Sequence, residues 1–94
     1  MKYYAEYMHN DQMHTVEFDF YGHKDRNLFK KAAKEVFRDL YNKDYVDGSA
    51  LGTMRAEYPN IWTNGAVGSL VLIINHKIHY PIAFGRKGCG YIAM

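Results

Sequence analysis

A chain of 94 residues has room for one hydrophobic core, and halves of it would bury too little apolar surface to fold without disulfides or metal. Hydrophobic residues make up 48% and aromatic residues 16%, which excludes a disordered polypeptide. The net charge of +2 is too small to demand a polyanion partner, but it is unevenly spread: residues 1–22 sum to −3 and residues 23–43 to +4.

Residues 2–21 alternate aromatic or β-branched side chains with polar ones on either side of His9-Asn10-Asp11-Gln12, the pattern of a β-hairpin. In its second arm Val16, Phe18 and Phe20 share one face, which is the core face. In the first arm Tyr3, Ala5 and Tyr7 oppose Tyr4, Glu6 and Met8, and composition favours neither set.

Gly22 and His23-Lys24-Asp25 interrupt the strand, and Asp25 or Asn27 is the expected N-cap of a helix ending near Asn42. Leu28, Phe29, Ala32, Ala33, Val36, Phe37, Leu40 and Tyr41 recur in pairs every four positions and predict its buried stripe. Lys30, Lys34 and Arg38 stand one turn above another on the outer side. Lys31, Glu35 and Asp39 form a mixed, solvated row beside them.

Periodicity is lost from Lys43 to Gly65, where Gly48, Gly52, Pro59, Asn64 and Gly65 gather. A short helix over Ala50 to Glu57 is expected there, weakened by Gly52, and Trp62 is expected to anchor the excursion to the core. Leu70-Val71-Leu72-Ile73-Ile74 lacks polar alternation, as in a central strand covered on both faces, with the helix over it. Asn75-His76 then predicts a tight reversal into a strand from Ile78 to Phe84, with Pro81 favouring an edge or a bulge. Gly85-Arg86-Lys87-Gly88 predicts a further turn, and Gly90-Tyr91-Ile92-Ala93 a closing strand. The expected fold class is a single α+β domain over residues 1–94. It is a two-layer sandwich with a mostly antiparallel sheet of about five strands, ordered ββα, loop, βββ, and the helix packed on one face.

The lone Cys89 has no partner for an intramolecular disulfide, and the opening Met1-Lys2-Tyr3-Tyr4-Ala5-Glu6 lacks the apolar run of a signal peptide. No run is long enough to span a bilayer. A cytoplasmic protein with no membrane partner is therefore expected.

Several groups of residues invite a chemical reading. The row of Lys30, Lys34 and Arg38 suits phosphates or an acidic protein patch, a solvated face being the alternative. Gly85-Arg86-Lys87-Gly88-Cys89-Gly90 has the flexibility to wrap an anion. It lacks the strand-to-helix setting of a phosphate loop, so it reads as a hairpin turn with Arg86 and Lys87 at its tip. His9 and His14 bracket the first turn near Asp11, and His76 and His79 lie three apart, but neither set has ligand spacing, so no metal site is assigned. Cys89 has no base in register, and Glu17 with Asp19 has no third group to support acid–base chemistry. No catalytic residue and no cofactor is assigned.

The resulting expectation is a non-enzymatic protein that docks a basic, tyrosine-rich surface, with Lys30, Lys34, Arg38, Arg86 and Lys87 at its centre, onto a protein or nucleoprotein complex. Its short, motif-free profile resembles that of compact inhibitors encoded by phages and mobile elements, anti-CRISPR proteins among them, which would imply occlusion of a host defence complex. Two alternatives remain open. One is a metal-independent ribonuclease of the toxin type acting on nucleic acid with His76, His79, Arg86 and Tyr91. The other is a structural module that forms a homodimer or larger oligomer through a strand edge.

Overall fold

Alternating side chains and two reversals built on left-handed residues shape the sheet. The computed structural model describes residues 1–56 and 68–86. Strands β1 (Lys2–His9) and β2 (Gln12–Asp19) pair antiparallel around Asn10 and Asp11, whose φ values of 51° and 62° match a two-residue turn with the right twist for a hairpin. Helix α1 (Asp25–Asn42) follows, then β3 (Gly52–Ala56), β4 (Gly68–Ile74) and β5 (Ile78–Arg86). The β4–β5 reversal uses Asn75 and His76, again with positive φ, and Lys77 N–H closes onto the Ile74 carbonyl at 3.1 Å.

The sheet is antiparallel throughout, in the order β2-β1-β5-β4-β3, and α1 lies across one face. This is the expected two-layer α+β arrangement. The register puts Tyr3, Ala5 and Tyr7 in the same layer as Phe18, Val16 and His14, which settles the inward face of β1. With Leu70, Leu72, Ile74, Tyr80, Ile82 and Phe84 they form the floor on which Leu28, Ala32, Ala33, Val36 and Leu40 of the helix pack.

Five expectations need correction. The segment read as a short helix from Ala50 is strand β3, because pairing Gly52–Ala56 with Ile74–Leu70 satisfies its backbone and outweighs its weak helical preference. The strand from Ile78 continues through Gly85 and Arg86, both paired with β1, so no turn begins at Gly85. β5 is the middle strand, although Pro81 suggested an edge and the apolar run of residues 70–74 suggested that β4 would be central. The β1 ladder stops at Ile82, one residue before the proline would have to offer it an N–H. The helix N-cap is Lys24, in extended conformation and without a side-chain cap, so neither Asp25 nor Asn27 has that role.

The helix ends at Asn42 by a different device. Lys43 is the C-cap and Asp44 turns left-handed at φ 60°. Asp44 N–H then reaches the Tyr41 carbonyl at 3.1 Å and Tyr45 N–H the Leu40 carbonyl at 2.9 Å. This pair of bonds is the Schellman closure, and it swings Tyr45 and Val46 back against the core. The expected anchor Trp62, the closing strand at Gly90-Tyr91-Ile92-Ala93, Lys87 and Cys89 lie outside the described residues.

Candidate functional site

The outward side of α1 carries Lys30, Lys34 and Arg38, all exposed. Arg38 bonds to Glu35 at 3.3 Å, whereas Lys30 and Lys34 form no ion pair among the described residues. Between this row and the segment 48–55, which includes most of edge strand β3, runs a groove of three adjoining hollows. The central one, about 330 Å³, is lined by the two lysines with Phe37, Leu51, Met54 and Leu72 among others. Lys30 and Met54 are shared with a hollow that reaches Arg26 and Arg55, and Lys34 and Phe37 with one that reaches Arg38 and Tyr41. The groove follows α1 from Arg26 to Tyr41, about 22 Å at 1.5 Å per residue.

Three lining residues are large and apolar yet exposed: Leu51 at 68%, Tyr41 at 51% and Met54 at 39%. Tyr41 was expected in the buried stripe. Beyond the Schellman closure the chain places Gly48 against its ring, so that a Cβ on Gly48 would stand 3.2 Å from the nearest ring carbon. Among the described residues that line the three hollows none is acidic, while Arg26, Lys30, Lys34, Arg38 and Arg55 are basic. The groove therefore combines an oily floor, a cationic rim and a strand edge.

Of the five expected binding residues, Lys30, Lys34 and Arg38 are brought together here. Arg86 is exposed at the end of β5 opposite Tyr3 and does not line the groove, and Lys87 lies outside the described residues. His79 and Arg86, which the ribonuclease alternative needs at one site, stand seven positions apart along extended strand β5, about 23 Å.

A second cluster gathers at the C-terminal end of α1. Tyr7 donates its hydroxyl hydrogen to Asp39 Oδ2 at 2.8 Å, and Lys43 Nζ donates to the same oxygen at 2.7 Å. Asp39 is thus a shared acceptor between sheet and helix, not a member of a solvated row. Glu35 is likewise nearly buried, held by Lys31 at 3.0 Å and by Arg38. His9 and His14 do approach one another, with ring centroids 6.4 Å apart, but their partners are not Asp11. His9 stacks on Tyr45 at 3.9 Å and shares a hydrogen bond with Tyr80.

His14 stacks on Tyr7 and lies 3.3 Å from Lys43 Nζ through its Nδ1. An ammonium has only protons to give, so Nδ1 accepts and the ring hydrogen resides on Nε2. That Nε2 is buried with no hydrogen-bond partner among the described residues. Burial, then the charge of Lys43, lowers the pKa of His14 below its usual 6.5. Burial and the bond to Asp39 push the Tyr7 hydroxyl well above 10, and burial raises Tyr80 as well. These side chains hold protons in place and brace the helix end; none lines the groove.

Lys2 bridges Glu17 at 3.8 Å and Asp19 at 3.1 Å, so the carboxylates weighed for acid–base work are tied in surface ion pairs. Among the described residues no group of three His, Cys, Asp or Glu side chains is placed to hold a metal ion, and no helix is long and apolar enough to cross a membrane. No family model matches the chain, and comparison with curated proteins and with solved structures returns no match.

Proposed function

We propose that this is a non-enzymatic binding protein that docks its α1–β3 groove onto an acidic macromolecular partner. The observation that carries the proposal is the composition of the groove: among the described residues it has five cations, no acid and three exposed apolar side chains. Cations aligned along a rim steer an anionic partner into one orientation, and the apolar floor supplies attraction that does not depend on salt. Partner capture of this kind acts by occlusion, the mode open to an inhibitor of a host defence complex.

The test is a titration of immobilised protein with a panel of acidic and neutral peptides at low and physiological salt. Wild type is expected to retain acidic peptides carrying apolar residues, more weakly as salt rises. The Lys30→Glu/Lys34→Glu variant is expected to lose them at an unchanged melting temperature, since both side chains are exposed and unpaired among the described residues. Retention by the variant equal to that of wild type overturns the proposal.

A further inference from the structure

β3 stands at the sheet edge and pairs, among the described residues, only with β4. Every residue from Leu51 to Arg55 is exposed. An edge strand presents a row of backbone donors and acceptors that another chain can complete, and natural edges usually carry some guard against this. The opposite edge, β2, has Glu17 and Asp19 on its outward-facing side, tied to Lys2. β3 offers Gly52, Thr53 and Met54 beside the groove and only Arg55 as a charge.

From these features, and resting on the docking role proposed above, we infer that the partner's bound segment is an extended acidic peptide that adds to the sheet as a strand along β3. Its backbone completes the open edge. Its side chains on the helix side extend over Phe37 and Met54 toward Lys30 and Lys34. The groove length of about 22 Å corresponds to about seven residues at the rise of a strand. Charge selects the occupant. A second copy pairing edge to edge would set the Arg26, Lys30 and Lys34 rims of two molecules against each other, with no acid among the described lining residues to relieve them. A single-stranded nucleic acid would satisfy the rim, but it needs stacking platforms, and among the described groove residues Tyr41 is the one exposed aromatic ring.

The experiment uses blocked seven-residue peptides alternating Glu with Val, which present one acidic and one apolar face in either register. A companion peptide is N-methylated at alternate residues, keeping charge and side chains while losing the amide hydrogens of one edge; both alternations are made. Binding is followed by fluorescence anisotropy, and amide exchange of Gly52–Ala56 by nuclear magnetic resonance. Wild type is expected to bind the plain peptide, to slow exchange of outward-facing β3 amides, and to bind one methylated form roughly tenfold more weakly or worse, the loss of one to two hydrogen bonds. Equal affinity for all forms, with β3 exchange unchanged, overturns strand addition while leaving acidic docking intact. Failure of every acidic peptide in this assay and in the panel overturns both. An oligothymidylate that matches the peptide, or slowed β3 exchange in a concentration-dependent dimer without peptide, replaces the peptide as occupant.

Discussion

Tyr7 of β1 has no exposed surface, and it donates to Asp39 of α1 across 2.8 Å. The bond is the polar tie between sheet and helix at the end where Lys43 and His14 also converge. Phenylalanine keeps the ring and its packing while deleting the donor. A hydrogen bond to an ionised acceptor contributes about 1.5–3 kcal/mol, and Asp39 keeps Lys43, so Tyr7→Phe is expected to lower stability by about 1–2 kcal/mol in urea titration. An unchanged midpoint would show that the bond contributes nothing net.

The lowered pKa of His14 has a definite consequence for pH dependence. Its folded pKa is below the unfolded 6.5, so the unfolded chain takes up the proton first as pH falls. The contribution of His14 is fully present above pH 6.5 and is lost as pH falls through the folded value. Urea midpoints measured from pH 7.5 downward should decline in that window, and the decline should flatten in His14→Phe. A profile unaltered by the substitution would assign the effect to other groups.

Leu40 and Leu51 are the same residue type in opposite settings, one with no exposed surface and one 68% exposed. Leu40→Ala leaves a cavity under the helix and is expected to cost about 2–5 kcal/mol. Leu51→Ala is expected to change stability by less than about 0.5 kcal/mol, while weakening capture of the acidic peptide through loss of groove floor. Thermal melts and anisotropy on the two variants check both halves.

Gly68 permits a close aromatic contact. A Cβ there would stand 2.9 Å from ring carbons of both Phe29 and Phe84, which meet edge to face with centroids 5.1 Å apart. Phe84 is fully buried and cannot swing away. Gly68→Ala is expected to cost about 1–3 kcal/mol, as overpacking does. A chemical-shift change confined to Phe29 and Phe84 would locate the strain.

The helix was legible in the sequence because one period governs residues 28–40 and the core has a single place to receive such a stripe. β2, β4 and both reversals were legible for similar local reasons. β3 was not. Its ladder partner lies some twenty residues away in sequence, and Gly52-Thr53-Met54-Arg55-Ala56 has no pattern of its own. The groove depends on that strand, so only its cationic half, Lys30, Lys34 and Arg38, was readable. Asp39 looked like an ordinary surface acid, and nothing local announces that Tyr7, thirty-two positions earlier, ends beside it. Tyr41 misled because the stripe is judged by type, whereas its burial was decided by how the chain leaves the helix.

The middle position of β5 bears on how the molecule is made. A ribosome delivers β1, β2 and α1 first, then β3 and β4, before the strand that joins the two halves of the sheet. Until residues 78–86 emerge, the inner edge of β1 and the free edge of β4 both lack their neighbour. Before then the sheet can exist only as two unfinished halves, which become one layer once the fifth strand is in place, and that is the interval in which a cellular chaperone would have most to hold.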